Sequence, residues 1–260
     1  MLVWVHLMDG GLHIALAAER IFEVWGIPVT NALITGVFVS VVVVTLAFFI
    51  GRNPRLMPGR LQTAFEWLFE FVLDLMEKTL EDRALARKFF PLIMSIFIFV
   101  LALNWFEFLP FVGSVGFWHG EEFVPLLRVP TTDLNFTLAL AAIAYIVIEI
   151  TGIVVLGFLR YGSKFVTLNQ GVIGFFMGLI ELVSNLARLI SFSFRLFGNI
   201  FAGEVLIAVA AYFLPVGLPL PVMLFEVFVG LVQAAIFALL TLVFIKIAIT
   251  QPHGKEATAH

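Results

Sequence analysis

From Val29 to Ile50 the chain runs without a charged side chain for about the twenty residues that a bilayer core demands. Apolar runs of that length recur at Phe89–Leu109 and Leu134–Phe158, and longer ones at about Gly174–Phe213 and Val222–Thr250. Hydrophobic residues make up 62% of the 260 residues and charged ones 13%, against an apolar share of roughly 45–50% in soluble domains. The expected class is therefore an all-α integral membrane protein, one membrane domain over residues 1–260 with about five transmembrane helices. A net charge of -3, with basic residues dispersed among apolar spans, excludes nucleic acid as a partner class. The chain has no cysteine, hence no disulfide or thiol nucleophile.

The segment Leu61–Glu81 differs in kind. Glu66, Glu70, Asp74, Glu77 and Glu81 recur every three or four residues, while Phe65, Leu68, Phe69, Val72, Leu75, Met76 and Leu80 cover the other faces. Arg52, Arg55 and Arg60 precede it and Arg83, Arg87 and Lys88 follow it. With both ends on the basic, cytoplasmic side it cannot span, and it reads as an amphipathic helix lying on that face. Met1–Pro28 reads as a retained, partly interfacial segment, and Phe111–Thr132 as a loop on the opposite side ahead of Asp133, an N-cap for the next span. Counting basic residues along this map puts the N-terminus outside and the C-terminus in the cytoplasm.

Charge inside the fourth run is the functional clue, because burying it in lipid is costly. Between Glu181 and Glu204, the residues Glu181, Ser184, Asn185, Arg188, Ser191, Arg195 and Asn199 follow at spacings of three or four and form a polar stripe along one helix face. Glu204 lies off that stripe. A helix covering Gly174–Phe213 is about 60 Å long, twice the hydrocarbon thickness, so it lies tilted, bends or breaks. The proline-rich LPVGLPLP at Leu214–Pro221 turns it into the last helix, completing a long, strongly tilted hairpin. On that second arm Glu226 and Gln233 share a face, with Gly230 between them allowing close backbone approach.

A guanidinium neither loads nor releases a proton at physiological pH, but it holds a permanent positive charge. Glu181, Glu204 and Glu226 sit at other depths or on another face, which points to a carboxylate on another subunit as the partner of Arg195. Carboxylates displaced to either side of it exchange protons with water, suggesting two half-paths that meet at a fixed charge. Glu149, isolated between Ile148 and Ile150, faces either a partner helix or an aqueous path.

At these residues the sequence resembles the a subunit of the membrane sector of F-type ATP synthases, bacterial type. The resemblance rests on SFSFRLFGNIFAGEVL at Ser191–Leu206, on FEVFVGLVQAAIFALLTLVF at Phe225–Phe244 and on VPTTDLNFTL at Val129–Leu138. It implies a stator in the bacterial plasma membrane, beside a rotating ring of c subunits and held by a b-subunit peripheral stalk within the F1Fo complex. Arg195 would correspond to the essential arginine facing the ring carboxylate, with Asn199 and Gln233 as polar partners. Glu204 and Glu226 would belong to the half-channel open to the outside, and Glu181 to the cytoplasmic mouth. Arg188 occupies a place where the family tends to be basic, and Ser191 is a further candidate on the stripe. No phosphate-binding glycine loop is present, so the chain is expected to have no ATP site, no cofactor and no catalysis of its own. The competing reading is a self-contained secondary transporter binding an anionic substrate at Arg195.

Overall fold

The computed structural model describes residues 18–52, 59–109, 112, 115–119, 122–157, 161–162, 171–214 and 217–250. The expected basic turns at Arg55 and at Arg160 and Lys164, the first 17 residues and Lys255 lie outside them. Six long helices carry the fold: α1 (Asn31–Arg52), α2 (Arg60–Leu80), α3 (Arg83–Phe106), α4 (Leu134–Leu156), α5 (Gly171–Phe213) and α6 (Pro219–Ile249). All but α2 are long and apolar enough to cross a membrane.

Local chemistry explains the helix ends. Glu81 closes α2 in the left-handed conformation, φ 59°, its N–H donating to the Glu77 carbonyl at 2.8 Å. Asp82 then caps α3, its carboxylate accepting from the N–H groups of Ala84 and Leu85 at 2.7 and 3.2 Å. That cap starts α3 at Arg83, six residues before the apolar run, so Arg83, Arg87 and Lys88 are helical rather than part of a loop. Asp133 caps α4 by accepting from the Asn135 N–H at 2.9 Å. Pro219 occupies the first turn of α6, where a missing N–H removes no helical bond, and the helix begins there rather than at Val222. The fourth apolar run is one unbroken helix of 43 residues, about 65 Å long.

Two small antiparallel hairpins were not apparent in the sequence. Strands β1 (Arg20–Val24) and β2 (Ile27–Thr30) join through Trp25 and Gly26, both at positive φ, as a tight two-residue turn requires. Strands β3 (Gly116–His119) and β4 (Glu122–Pro125) form the second within the expected loop. Asn31 ties both to the start of α1: its Nδ2 donates to the Pro125 carbonyl at 3.2 Å, while its Oδ1 accepts from the Glu19 N–H at 3.2 Å. The Thr35 hydroxyl of α1 accepts from the Arg128 N–H at 3.1 Å.

The main core lies between α3 and α6. Ile93, Phe97 and Val100 share it with Ala234, Phe237, Ala238, Leu242 and Ile245, all of them buried, and Phe192 and Leu196 join from α5. Helix α2 lays Val72, Met76 and Leu80 on the same core and leaves Glu66, Glu70 and Asp74 exposed, as its periodicity predicts. Lys246 of α6 fastens that end, donating to the Thr79 carbonyl at 2.8 Å and to Glu81 at 3.0 Å.

The close backbone approach at Gly230 is to α3: a Cβ there would lie 3.2 Å from that of Asn104, whose Nδ2 donates to the Gly230 carbonyl at 3.1 Å. Gly230→Leu is therefore expected to destabilise the fold by about 1–3 kcal/mol through overpacking. Gly51→Leu, which meets open space, is expected to be neutral or slightly stabilising; thermal unfolding of the two variants in detergent checks the difference.

Candidate functional site

Helix α5 buries one edge and exposes another. Phe192, Leu196 and Ile200, four residues apart, are buried, and the Phe192 ring packs on Phe237 and Phe244 of α6 at 5.0 and 5.4 Å. That packing turns Ser191, Arg195 and Asn199 outward, all three exposed. Among the described residues Arg195 makes no hydrogen bond and no ion pair. A permanent cation in an apolar helix, facing out of its own chain, is poised to pair with an anion supplied by a neighbour.

Polar side chains gather on both sides of it along α5. Toward the hairpin end, Asn199 donates from Nδ2 to Gln233 Oε1 on α6 at 2.8 Å. One helical turn and more beyond stand Glu204 and Glu226. Glu226 is 5% exposed, and its carboxyl lies against the backbone of α5 at Gly203, where any Cβ would collide with it. Glu204 faces Arg128 and the hydroxyl of Thr132, which come from the segment before α4. Among the described residues, five buried polar atoms lack a protein partner: Glu204 Oε2, Glu226 Oε2, Asn104 Oδ1, Gln233 Nε2 and Thr131 Oγ1. Buried polar atoms in native proteins are paired with protein or with ordered water, so these atoms are candidates for contact with water.

On the other side of Arg195, Ser184, Arg188, Ser191 and Arg195 line a cavity of about 280 Å³ closed by Phe192, Leu240 and Phe244. Arg188 donates to Asn185 Oδ1 at 2.9 Å and lies over the Phe244 ring at 4.9 Å. A neighbouring cavity of about 20 Å³ is lined by Glu181, Asn185 and Arg188 together with Glu149 and Tyr161. The structure thus brings Arg188, Ser191 and Arg195 to one cavity and Arg188 with Glu181 to the next. It groups Asn199 with Gln233, and Glu204 and Glu226 with one another. No group of described residues has the make-up of a metal site.

Sequence reasoning missed Glu107, Arg128, Thr132 and Asn104. Glu107, just past α3, is pushed up to about 8, first by burial and then by repulsion from Glu204 and Glu226. Three carboxyl groups therefore share one neighbourhood. The only sequence signal was an acid at the end of an apolar run, which equally describes a helix terminus at a membrane surface.

A carboxyl that binds its proton more tightly in the folded chain than in the unfolded one makes its full contribution to stability below its ordinary value near 4.5. That contribution is lost as pH rises through about 8. Glu107→Gln, permanently neutral, is expected to flatten the fall in melting temperature of the solubilised protein between about pH 5 and about 9. An unchanged slope would place the titration elsewhere.

Comparison with known proteins identifies the family. The family model described as ATP synthase A chain matches residues 33–246. Among curated relatives, the ATP synthase subunit a, sodium ion specific, of Propionigenium modestum is 31% identical over 256 residues, covering 95% of this chain and 83% of that protein. ATP synthase subunit a of Mycobacterium ulcerans is 32% identical, over 83% of this chain and 85% of the relative, and that of Moorella thermoacetica is 29% identical over 87% and 94%. The matched region takes in five helices able to cross a membrane, with Arg195 and both polar groups beside it, and the chain belongs to the ATP synthase A chain family, the a subunits of bacterial F-type ATP synthases.

Proposed function

We propose that this chain is the stator that leads protons to and from the rotating c-ring of an F-type ATP synthase through two offset half-channels separated by Arg195. The observation that carries the reading is an arginine without a partner among the described residues, exposed on α5 between two separate polar groups. Along the helix axis Glu204 is about 13 Å from Arg195 on one side and Glu181 about 21 Å on the other.

In this mechanism a proton from outside passes Glu107 and then Glu226 and Glu204, whose Oε2 atoms find no partner among the described residues and suit a hydrated path, and reaches a ring carboxylate. Asn199 and Gln233 border the transfer point. Neutralised, that carboxyl rotates away into lipid, because a protonated acid is far cheaper to desolvate than an ion. After nearly a full turn it enters the cavity lined by Ser184, Arg188, Ser191 and Arg195 and releases its proton toward Glu181. The positive charge of Arg195 favours the ionised carboxylate and so drives release. The same charge repels a cation attempting to leak from one half-channel to the other. The basic residues at the ends of α1, α2 and α3 support a cytoplasmic position for Glu181. The peripheral b subunits hold the chain still while the ring turns.

Arg195→Ala is expected to abolish ATP-driven proton pumping in vesicles carrying the whole complex, while leaving or raising the passive leak. Glu204→Gln is expected to lower pumping by about 10- to 100-fold without raising the leak, as loss of a proton relay rather than of the barrier. Near-native coupled pumping by Arg195→Ala would overturn the stator reading.

A further inference from the structure

Glu149 takes no part in the mechanism above, although it stands in the middle of an apolar span. Its surroundings are built rather than incidental. The Tyr161 hydroxyl donates to Glu149 Oε2 at 2.8 Å. Tyr161 is itself 6% exposed, and its ring lies against Gly152, where any Cβ would collide with it. Gly152 is one helical turn from Glu149, so a slot in α4 seats the ring and aims the hydroxyl at the carboxylate.

The same carboxylate opens on the path from Arg195. Glu149, Tyr161, Glu181, Asn185 and Arg188 line one cavity of about 20 Å³, room for about one water molecule. That cavity and the larger one containing Arg195 share Arg188 and Phe244 as walls. A chain of polar groups therefore continues from Arg195 past Arg188 and divides between Glu181 on α5 and Glu149 on α4.

We propose that Glu149 is a second proton acceptor at the exit of the Arg195 cavity, with Tyr161, seated on Gly152, as the positioning residue that keeps its carboxylate aimed. This rests on the stator reading above. A proton leaving the ring carboxyl crosses through water to an oxygen of Glu149, which becomes a neutral carboxylic acid. Loss of that proton to the aqueous phase restores the carboxylate, and the Tyr161 O–H bond stays intact throughout. Burial, and then the bond to Glu149, push the Tyr161 hydroxyl above the ordinary phenol range, so it remains a donor at working pH. Among the described residues, the other ionisable groups facing Glu149 are Tyr145 on its own helix and Glu181 and Arg188 on α5, while α6 contributes Phe244, Ile247 and Ala248.

The test is potential-driven proton flux into the compartment facing Glu149, through the whole complex in vesicles. Arg195→Ala runs in parallel. Glu149→Gln is expected to cut the flux about tenfold, Glu181 remaining as the other acceptor, and Glu149→Asp to recover most of it. Tyr161→Phe keeps the ring in its slot but loses the bond that aims the carboxylate, so flux is expected to fall about threefold, with no further loss when it is added to Glu149→Gln. Native flux in Glu149→Gln and in Tyr161→Phe, with Arg195→Ala still uncoupled, would overturn this proposal and leave the stator reading intact. A further loss on adding Tyr161→Phe to Glu149→Gln would make that residue structural and overturn its positioning role. If Glu149→Gln fails to assemble, the fluxes of Tyr161→Phe and Glu149→Asp decide.

Discussion

A guanidinium cannot shed its charge in any accessible pH range, and burying it without a counter-ion costs several kcal/mol. Arg195 is exposed on a helix able to cross a membrane, and no described residue supplies its counter-ion. The chain's own acidic residues are held elsewhere: Glu204 and Glu226 with Glu107 in one group, Glu181 and Glu149 in another. The packing enforces the separation, because the buried row Phe192, Leu196 and Ile200 against α6 turns the Arg195 edge outward. A charge on the rim of a membrane helix is costly until an anion or water meets it. That cost is what the proposed pairing with a ring carboxylate would relieve.

Small residues do much of the positioning. Gly203 lets the Glu226 carboxyl lie against α5, Gly230 lets α6 approach Asn104, and Gly152 receives the Tyr161 ring. In each case a polar group is carried into an apolar interface by a neighbour that gives up its side chain. Such contacts suit lipid, where helices gain little from the hydrophobic effect against one another and depend on close packing and hydrogen bonds. The Asn199–Gln233 and Thr137–Ser193 pairs supply the latter between α5 and its neighbours. What remains unpaired, at Glu204, Glu226, Asn104 and Gln233, is concentrated on one side of Arg195.

By itself the sequence determined the helices and the residues most open to function. Charge-free runs of spanning length leave few alternatives, and an arginine amid such a run is conspicuous because every neighbour is apolar. Periodicity separated α2 from the spans, and Asp133 announced its cap. The extra turns at the start of α3 were less visible, since a cap at Asp82 lets a helix continue through charged residues beyond the apolar core.

Only the tertiary structure decided which polar groups meet. Glu107 lies almost a hundred residues from Glu204, and Glu149 approaches Glu181 only when α4 packs on α5; spacing along one helix carries no information about contacts between helices. The hairpins escaped notice because a pair of four- or five-residue strands has too short a periodicity to rise above loop composition. A lone acid in an apolar run reads the same whether it is spare or engaged. The hydroxyl of Tyr161 on Glu149, and the glycine slot that holds it there, exist only once the chain has folded.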